Sequence, residues 1–157
     1  KKGGVVTAAN ASGINDASAA VVMMTKKKAE ELGIKPLMKL INVCSEGVDA
    51  RVMGLGPAVA IPKCLKEAGM KYEDVEYWEI NEAFAAQVIA CNRELKADPA
   101  KINILGSGVS LGHPVGMTGA RLIITLMHEM RRSKKQFGIA SLCSGGGPAM
   151  ATIIEAL

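Results

Sequence analysis

Short apolar runs alternate with segments of helical periodicity along this chain. Apolar residues at positions 122, 123, 126, 127 and 130 form a stripe, which is typical of a helix with one buried face. The short runs, bounded by Gly, Pro or charged residues, instead favour buried strands. We predict strands at 17–24, 37–44, 74–80, 102–105, 138–143 and 149–154, and helices at 26–32, 58–68, 83–95 and 120–130.

This alternation predicts an α/β fold, with a five-stranded mixed sheet that is mostly parallel and carries helices on both faces. A tight Gly/Pro turn separates the last two predicted strands. These strands should therefore form a hairpin, and the edge strand of the sheet should be antiparallel. The chain has 157 residues, of which 49% are hydrophobic, so it is expected to bury the core of one domain.

Charge and cysteine content narrow the classes of protein. The net charge is +4, and because no aromatic residues interleave with the basic clusters, we expect no nucleic-acid partner. No apolar stretch reaches the ~18 residues of a membrane helix, so we expect no membrane partner. The four cysteines form no C-x-x-C pair, which predicts no metal site and favours a reducing, cytoplasmic compartment. Because the chain begins with Lys1 rather than Met, we expect it to be a piece of something longer.

Two motifs follow predicted strands, at the strand ends where open α/β sheets gather their ligand sites. Asn81 comes directly after a strand, and its amide could donate a hydrogen bond to a ligand or a water, or it could simply be the N-cap of the next helix. His113 stands between Gly112 and Pro114. Its neutral imidazole could transfer a proton near neutral pH, or it could be a turn histidine bonded to the backbone.

A third motif is Cys143 followed by Ser-Gly-Gly-Gly. A thiol at a strand end is accessible to a ligand, and glycine N–H groups can approach a developing oxyanion closely because no side chain intervenes. The alternative is a buried cysteine ahead of a glycine turn. Each of the three motifs is therefore open to a structural interpretation when it is taken alone.

In this order, the motifs at 81–84 (Asn-Glu-Ala-Phe), 112–116 (Gly-His-Pro-x-Gly) and 143–147 (Cys-x-Gly-Gly-Gly) resemble the carboxyl-terminal half of the thiolases. Asn-Ala-Ser-Gly-Ile-Asn-Asp at 10–16 and Val-Met-Gly-Leu-Gly-Pro at 52–57 extend the resemblance to nearly the whole chain. Within the family it most resembles the acetoacetyl-CoA-forming type. The resemblance implies that 1–157 is a carboxyl-terminal domain, that 1–16 is a lead-in carrying part of the CoA-binding loop, and that the amino-terminal half is absent.

The resemblance implies a reversible Claisen condensation of two acetyl-CoA to acetoacetyl-CoA and CoA, with CoA thioesters as substrates and no other cofactor. His113 would activate a nucleophilic cysteine in the amino-terminal half and line an oxyanion hole that a water held by Asn81 completes. Cys143 would remove the α-proton, and the N–H of Gly145 would help form a second oxyanion hole. The implied substrate- and CoA-binding residues are Ser12, Met53, Phe84 and Ala83.

The same resemblance implies two protein partners, namely the amino-terminal thiolase half and further copies of the chain in a homo-oligomer. Because none of the four cysteines stands in the motif of the nucleophile, we expect the isolated chain to be inactive. Two other functions remain open. The chain could be half of a degradative 3-ketoacyl-CoA thiolase, or it could be a non-catalytic module that binds CoA or dimerises.

Overall fold

The computed structural model describes residues 2–157, which form a four-stranded mixed sheet with helices on both faces. No helix within this range is long and apolar enough to cross a membrane. The strands are β1 (Met38–Gly47), β2 (Tyr77–Ile80), β3 (Phe137–Cys143) and β4 (Pro148–Ala156). The α-helices are α1 (Lys26–Glu31), α2 (Gly56–Ala68), α3 (Ala85–Leu95), α4 (Gly108–Leu111) and α5 (Thr118–Ser133), and the 3-10 helices span Ala50–Leu55, Tyr72–Asp74 and Pro99–Lys101.

The strand order is β1-β4-β3-β2. β3 and β4 form the expected antiparallel hairpin, whereas β2 and β3 run parallel, with Ile80 opposite Ser141. The strand that runs antiparallel to the other three is β4, and the prediction that it lies at the edge of the sheet is wrong. β1 pairs with its outer side, with Gly47 opposite Pro148. The antiparallel strand therefore lies inside the sheet, and β1 and β2 are its edges.

The sheet has four strands and not the expected five, and the predicted strand at 102–105 is reduced to one bridge between Ile102 and Trp78. The reason is Asn103, which has a left-handed backbone with φ 49°. Its side chain takes the place of a neighbouring strand: Ile80 N donates to Asn103 Oδ1 and Asn103 Nδ2 donates to Ile80 O, each at 2.8 Å. A side-chain amide thus satisfies the free edge of β2 that a fifth strand would otherwise cover.

The prediction of a buried strand at 17–24 is wrong for the described chain. The segment has no strand assignment and is exposed along its length. Val22 is 85% and Met23 67% exposed, which is unusual for a run of consecutive apolar residues. The apolar pattern indicates burial, but residues 2–157 supply no strand that pairs with this segment.

The sheet separates two apolar layers, and the prediction of helices on both faces is confirmed. On one face, α2 packs over β1, β3 and β4, and this layer contains Ile61, Leu65, Trp78 and Ile153. On the other face, α5 packs over β2 and β3. The buried residues of this second layer are Tyr77, Leu122, Leu126, Met130, Ala140 and Ile154.

We expect Gly147→Ala to lower the free energy of unfolding of this chain by about 2–4 kcal/mol. Gly147 has φ +108°, a conformation that L side chains rarely adopt, and an added Cβ would collide with the carbonyl oxygen of Val48. Urea denaturation followed by circular dichroism measures the change. Gly145→Ala is the matched control, because a Cβ at Gly145 meets no atom within 4 Å and should change stability by less than about 0.5 kcal/mol. Equal losses in the two variants would contradict the steric explanation.

Candidate active site

Asn81 and Cys143 lie at the same edge of the sheet. Asn81 follows the last residue of β2, and its backbone N donates to Ser141 O of β3 at 2.9 Å. Cys143 is the last residue of β3. Because β2 and β3 are parallel, their carboxyl ends meet there, which is where α/β sheets place their ligand sites.

The structure brings Asn81 and His113 together although 32 positions separate them in the sequence. The amide nitrogen Nδ2 of Asn81 lies 3.3 Å from Nε2 and 3.5 Å from Nδ1 of His113. The side chain of Asn81 is fully buried. Its Oδ1 has no hydrogen-bond partner among the atoms of residues 2–157, and such an unpaired buried acceptor calls for a ligand or a water.

Asn81 is not a helix N-cap, so that structural interpretation is wrong. Helix α3 begins at Ala85, and its N-cap residue is Phe84, which has an extended backbone. The predicted start of this helix at residue 83 is too early by two positions for the same reason. The burial of Asn81 therefore has to be explained by its contact with His113.

The hydrogen bonds of Thr118 couple its hydroxyl to the tautomer of His113. The hydroxyl of Thr118 donates its only proton to Pro114 O at 2.9 Å. While Thr118 donates to Pro114 O, its 2.7 Å contact with His113 Nδ1 is made by Nδ1–H donating to the hydroxyl oxygen. With Nδ1 protonated in the neutral ring, the lone pair lies on Nε2.

The surroundings of His113 favour its neutral form. Burial of the ring, and then the positive charge of Arg121, hold the pKa of His113 below its ordinary value. The backbone N–H of His113 donates to Gly13 O at 3.0 Å, which anchors the residue against the lead-in segment. A neutral, anchored imidazole with a free lone pair can accept a proton from a thiol or from a water.

Cys143 is buried, with 7% of its surface exposed. Burial, followed by the neighbouring thiol of Cys91, raises the pKa of Cys143. In the described structure Cys143 is therefore a thiol at neutral pH, ready to donate a proton.

The glycine turn after Cys143 is built as a narrow loop. Ser144 N donates to Pro148 O at 2.8 Å, and Gly147 N donates to Ser144 O at 3.2 Å. Gly146 and Gly147 both have positive φ, so the turn needs residues without a Cβ there. Gly145 is exposed at the tip of the loop.

Three of the four residues assigned to substrate binding also lie together. Ser12 N donates to Ala83 O at 3.0 Å, and a β-bridge joins Ala11 to Phe84. The lead-in segment therefore runs beside the residues that directly follow Asn81. Met53 lies half-buried in the 3-10 helix Ala50–Leu55, which packs against α3.

The family model described as "Thiolase, C-terminal domain" matches residues 34–156 of this chain. The chain belongs to the thiolase family. This match spans the sheet, all three motifs and the helices that support them. The Asn81–His113 contact therefore lies in a carboxyl-terminal thiolase domain.

Individual relatives agree with the family model. The chain is 54% identical over 159 residues to the acetyl-CoA acetyltransferase of Syntrophomonas wolfei, covering 100% of this chain and 40% of that protein. A solved structure of acetyl-CoA acetyltransferase from Syntrophomonas wolfei superposes with a TM-score of 0.92 and 60% identity, over 99% of this chain and 41% of that one. Human mitochondrial 3-ketoacyl-CoA thiolase in complex with CoA superposes with a TM-score of 0.90 and 36% identity, over 97% and 39%. The chain thus spans about two fifths of the length of these relatives.

Sequence reasoning named Glu82, within the motif at 81–84, but missed roles for Glu79, Thr118 and Arg121 beside Asn81 and His113. Glu82 accepts from Asn103 Nδ2 at 3.0 Å and from Val109 N at 3.3 Å. Glu79 pairs with Arg121 at 3.2 Å. Glu79 could have been found as a charged residue inside a predicted buried strand. Thr118 and Arg121 could have been found from their spacing of three residues, which places both on one face of a helix.

Proposed function

We propose that this chain is the carboxyl-terminal part of an acetyl-CoA acetyltransferase that condenses two acetyl-CoA reversibly to acetoacetyl-CoA and CoA. The observation that carries the proposal is the contact between Asn81 Nδ2 and His113 Nε2 beside the strand end that holds Cys143. The 54% identity to a protein named acetyl-CoA acetyltransferase supports the choice of substrate. CoA thioesters are the proposed substrates, with no further cofactor.

The chemistry follows from the protonation states of the two groups. His113 Nε2 takes the proton of a nucleophilic thiol supplied by the amino-terminal part, and the resulting Nε2–H then donates to the thioester oxygen. A water held by the amide of Asn81 is the second donor, and Gly145 N–H serves the other oxyanion hole. Ser12, Met53, Phe84 and Ala83 are proposed to contact the pantetheine arm and the acyl group.

In the thiolysis direction, Cys143 is the proton donor. The nucleophilic thiolate attacks the 3-keto carbon of acetoacetyl-CoA, and the C–C bond breaks, leaving an acetyl-enzyme and the enolate of acetyl-CoA. The Cys143 thiol protonates the enolate carbon and becomes a thiolate, and the thiol of incoming CoA later returns a proton when it takes the acetyl group. The raised pKa of Cys143 supports this role, because the thiol must still carry its proton when the enolate forms.

The amino-terminal thiolase part is the proposed partner of this chain. The exposed apolar run at 17–24 supports this proposal, because consecutive exposed apolar residues mark an interaction surface. Homo-oligomerisation of the whole protein is proposed from the family resemblance. All four cysteines are free thiols, which supports a reducing compartment such as the cytoplasm.

Two alternative functions remain, and sequence identity and the burial of Asn81 disfavour both. Human mitochondrial 3-ketoacyl-CoA thiolase shares the fold but is 36% identical, against 60% for the Syntrophomonas wolfei structure, so a degradative thiolase is the second candidate. A non-catalytic CoA-binding module is disfavoured by the fully buried Asn81, whose unpaired oxygen costs stability without serving packing.

A chimera tests the proposal: this chain replaces the matching two fifths of the Syntrophomonas wolfei acetyl-CoA acetyltransferase. We expect the kcat of acetoacetyl-CoA thiolysis to stay within about tenfold of the parent enzyme, equivalent to about 1.4 kcal/mol in the barrier. The chain alone should be inactive. A folded chimera without thiolysis would contradict the proposal. A chimera that prefers longer 3-ketoacyl-CoA substrates than the parent enzyme does would favour the degradative alternative. CoA binding by calorimetry without turnover would favour the non-catalytic module.

A further inference from the structure

We infer that the buried pair Glu79–Arg121 is a positioning element that holds Asn81 and His113 in their mutual arrangement. Arg121 Nη1 lies 3.2 Å from Glu79 Oε2, and the two side chains are 15% and 0% exposed, respectively. Neither residue binds substrate or transfers a proton in the proposed mechanism. The catalytic consequence of the inference rests on the proposed function, whereas its structural part does not.

Glu79 stands on an apolar surface where an aliphatic residue would be the ordinary choice. It lies in β2 two residues after Tyr77, and alternate residues of a strand face the same side, so both face the layer under α5. Burial raises the pKa of Glu79 to about 7 even with Arg121 beside it. Its Oε1 has no hydrogen-bond partner within residues 2–157. A half-satisfied buried carboxylate is poor for stability, which indicates another reason for its presence.

Arg121 joins three pieces of the chain that build the site. Besides its bond to Glu79 on β2, its guanidinium donates from Nη2 to Ser107 Oγ at 3.0 Å. Ser107 precedes Gly108, where an added Cβ would lie 3.1 Å from Asn81 Oδ1 and would collide with Glu82 O. The turn that Arg121 holds is therefore packed directly against the amide of Asn81.

The same helix carries the anchor of His113. Thr118 lies three residues before Arg121 on α5, and side chains at this spacing share one face of a helix. Thr118 Oγ1 is the 2.7 Å partner of His113 Nδ1. The pair Glu79–Arg121 thus ties the start of α5, with His113, to the end of β2, with Asn81. A shift between these elements changes the 3.3 Å contact between Asn81 and His113.

Variants of the chimera separate positioning from stability. E79Q keeps the shape of Glu79 and one acceptor for Arg121 but removes the charge, and E79M/R121M replaces the pair by apolar side chains. We expect both to lower kcat of thiolysis about 10–100-fold with KM for acetoacetyl-CoA within twofold, because a displacement near 1 Å can cost about 100-fold. E79M/R121M should unfold at the same temperature or higher, because apolar replacement of a buried ion pair is often neutral or stabilising.

The matched control is E129Q on the same helix. Glu129 is also buried and pairs with an arginine, Arg132, but it lies near the opposite end of α5. E129Q should leave kcat within twofold. If E79M/R121M folds with wild-type kcat, or if E79Q changes KM and not kcat, the inference is overturned. If E79M/R121M does not fold, kcat and KM of E79Q alone decide whether the inference holds.

A spectroscopic readout keeps the inference separate from the proposed function. The ¹⁵N shifts of the His113 ring report its tautomer, with a His113→Ala spectrum for assignment. Wild type should show protonated Nδ1, and E79M/R121M should show a mixture of both tautomers because Thr118 Oγ1 is no longer held beside Nδ1. A folded chimera without thiolysis would contradict only the proposed function. An unchanged tautomer in a folded E79M/R121M would contradict the positioning role whether or not the chimera turns over.

Discussion

Cys143→Ala in the chimera is expected to lower kcat of acetoacetyl-CoA thiolysis by about 10²–10⁴-fold, the usual contribution of a positioned proton donor. The buried thiol has a raised pKa and therefore carries its proton at neutral pH. Without it, the enolate released by C–C cleavage has no acid beside it and must wait for a water. Steady-state consumption of acetoacetyl-CoA measures the loss, and KM should change little because the thiol is not needed to bind substrate.

Cys44→Ala is the matched control for this prediction. Cys44 is also a buried thiol on the same sheet, but its Sγ donates to Ala60 O at 3.1 Å under helix α2. Its removal should cost some stability and leave kcat within about twofold, because no proposed step uses it. If the two alanine variants lose the same factor in kcat, or if Cys143→Ala keeps wild-type turnover, Cys143 is not the proton donor.

Helical periodicity locates the helices because each has a single buried stripe, but it does not give their ends. Helix α5 is predicted at 120–130 and spans Thr118–Ser133. The stripe ends with the last buried residue, whereas the backbone continues through exposed residues as far as Lys134, which has a left-handed φ of 56°. At α3 the error has a tertiary cause, since Phe84 is kept extended by its bridge to Ala11.

The sheet is predicted less well than the helices, because strand pairing is a long-range property. Asn103 is an example: a polar residue in a short apolar run acts as a side-chain substitute for a strand through two hydrogen bonds to Ile80. The apolar run at 17–24 shows the opposite case. Its composition indicates burial, whereas the described structure leaves it exposed, because composition does not specify a pairing partner.

The residues of the candidate site are predicted from the sequence, but the contacts between them are not. Asn81, His113 and Cys143 are predicted from motifs, since each follows a strand or sits in a glycine-rich stretch. Their contacts depend on which strands are neighbours, and the role of Thr118 depends on a hydroxyl that can donate only once. These contacts depend on the three-dimensional arrangement of the strands and helices, which a single sequence does not give.

His113→Ala in the chimera is expected to lower kcat/KM of thiolysis by about 10²–10⁴-fold. The substitution removes the Nε2 lone pair proposed to take the proton of the nucleophile, and with it the N–H proposed to stabilise the oxyanion. Burial and the charge of Arg121 lower the pKa of His113. Its base form therefore persists to lower pH than for a free imidazole, and the wild-type acid limb should fall below the ordinary histidine value of about 6.5.

His128→Ala supplies the control, because His128 is the other histidine of this chain and is exposed on α5. It should leave kcat/KM within about twofold and should not move the acid limb. The direction of the pH dependence is decisive. Protonation of His113 abolishes its ability to accept a proton, so kcat/KM must fall as the pH drops through the lowered pKa. A limb that lies above the ordinary histidine value, or one that survives unchanged in the residual activity of His113→Ala, would assign the titration to another group and remove His113 from the proton transfer.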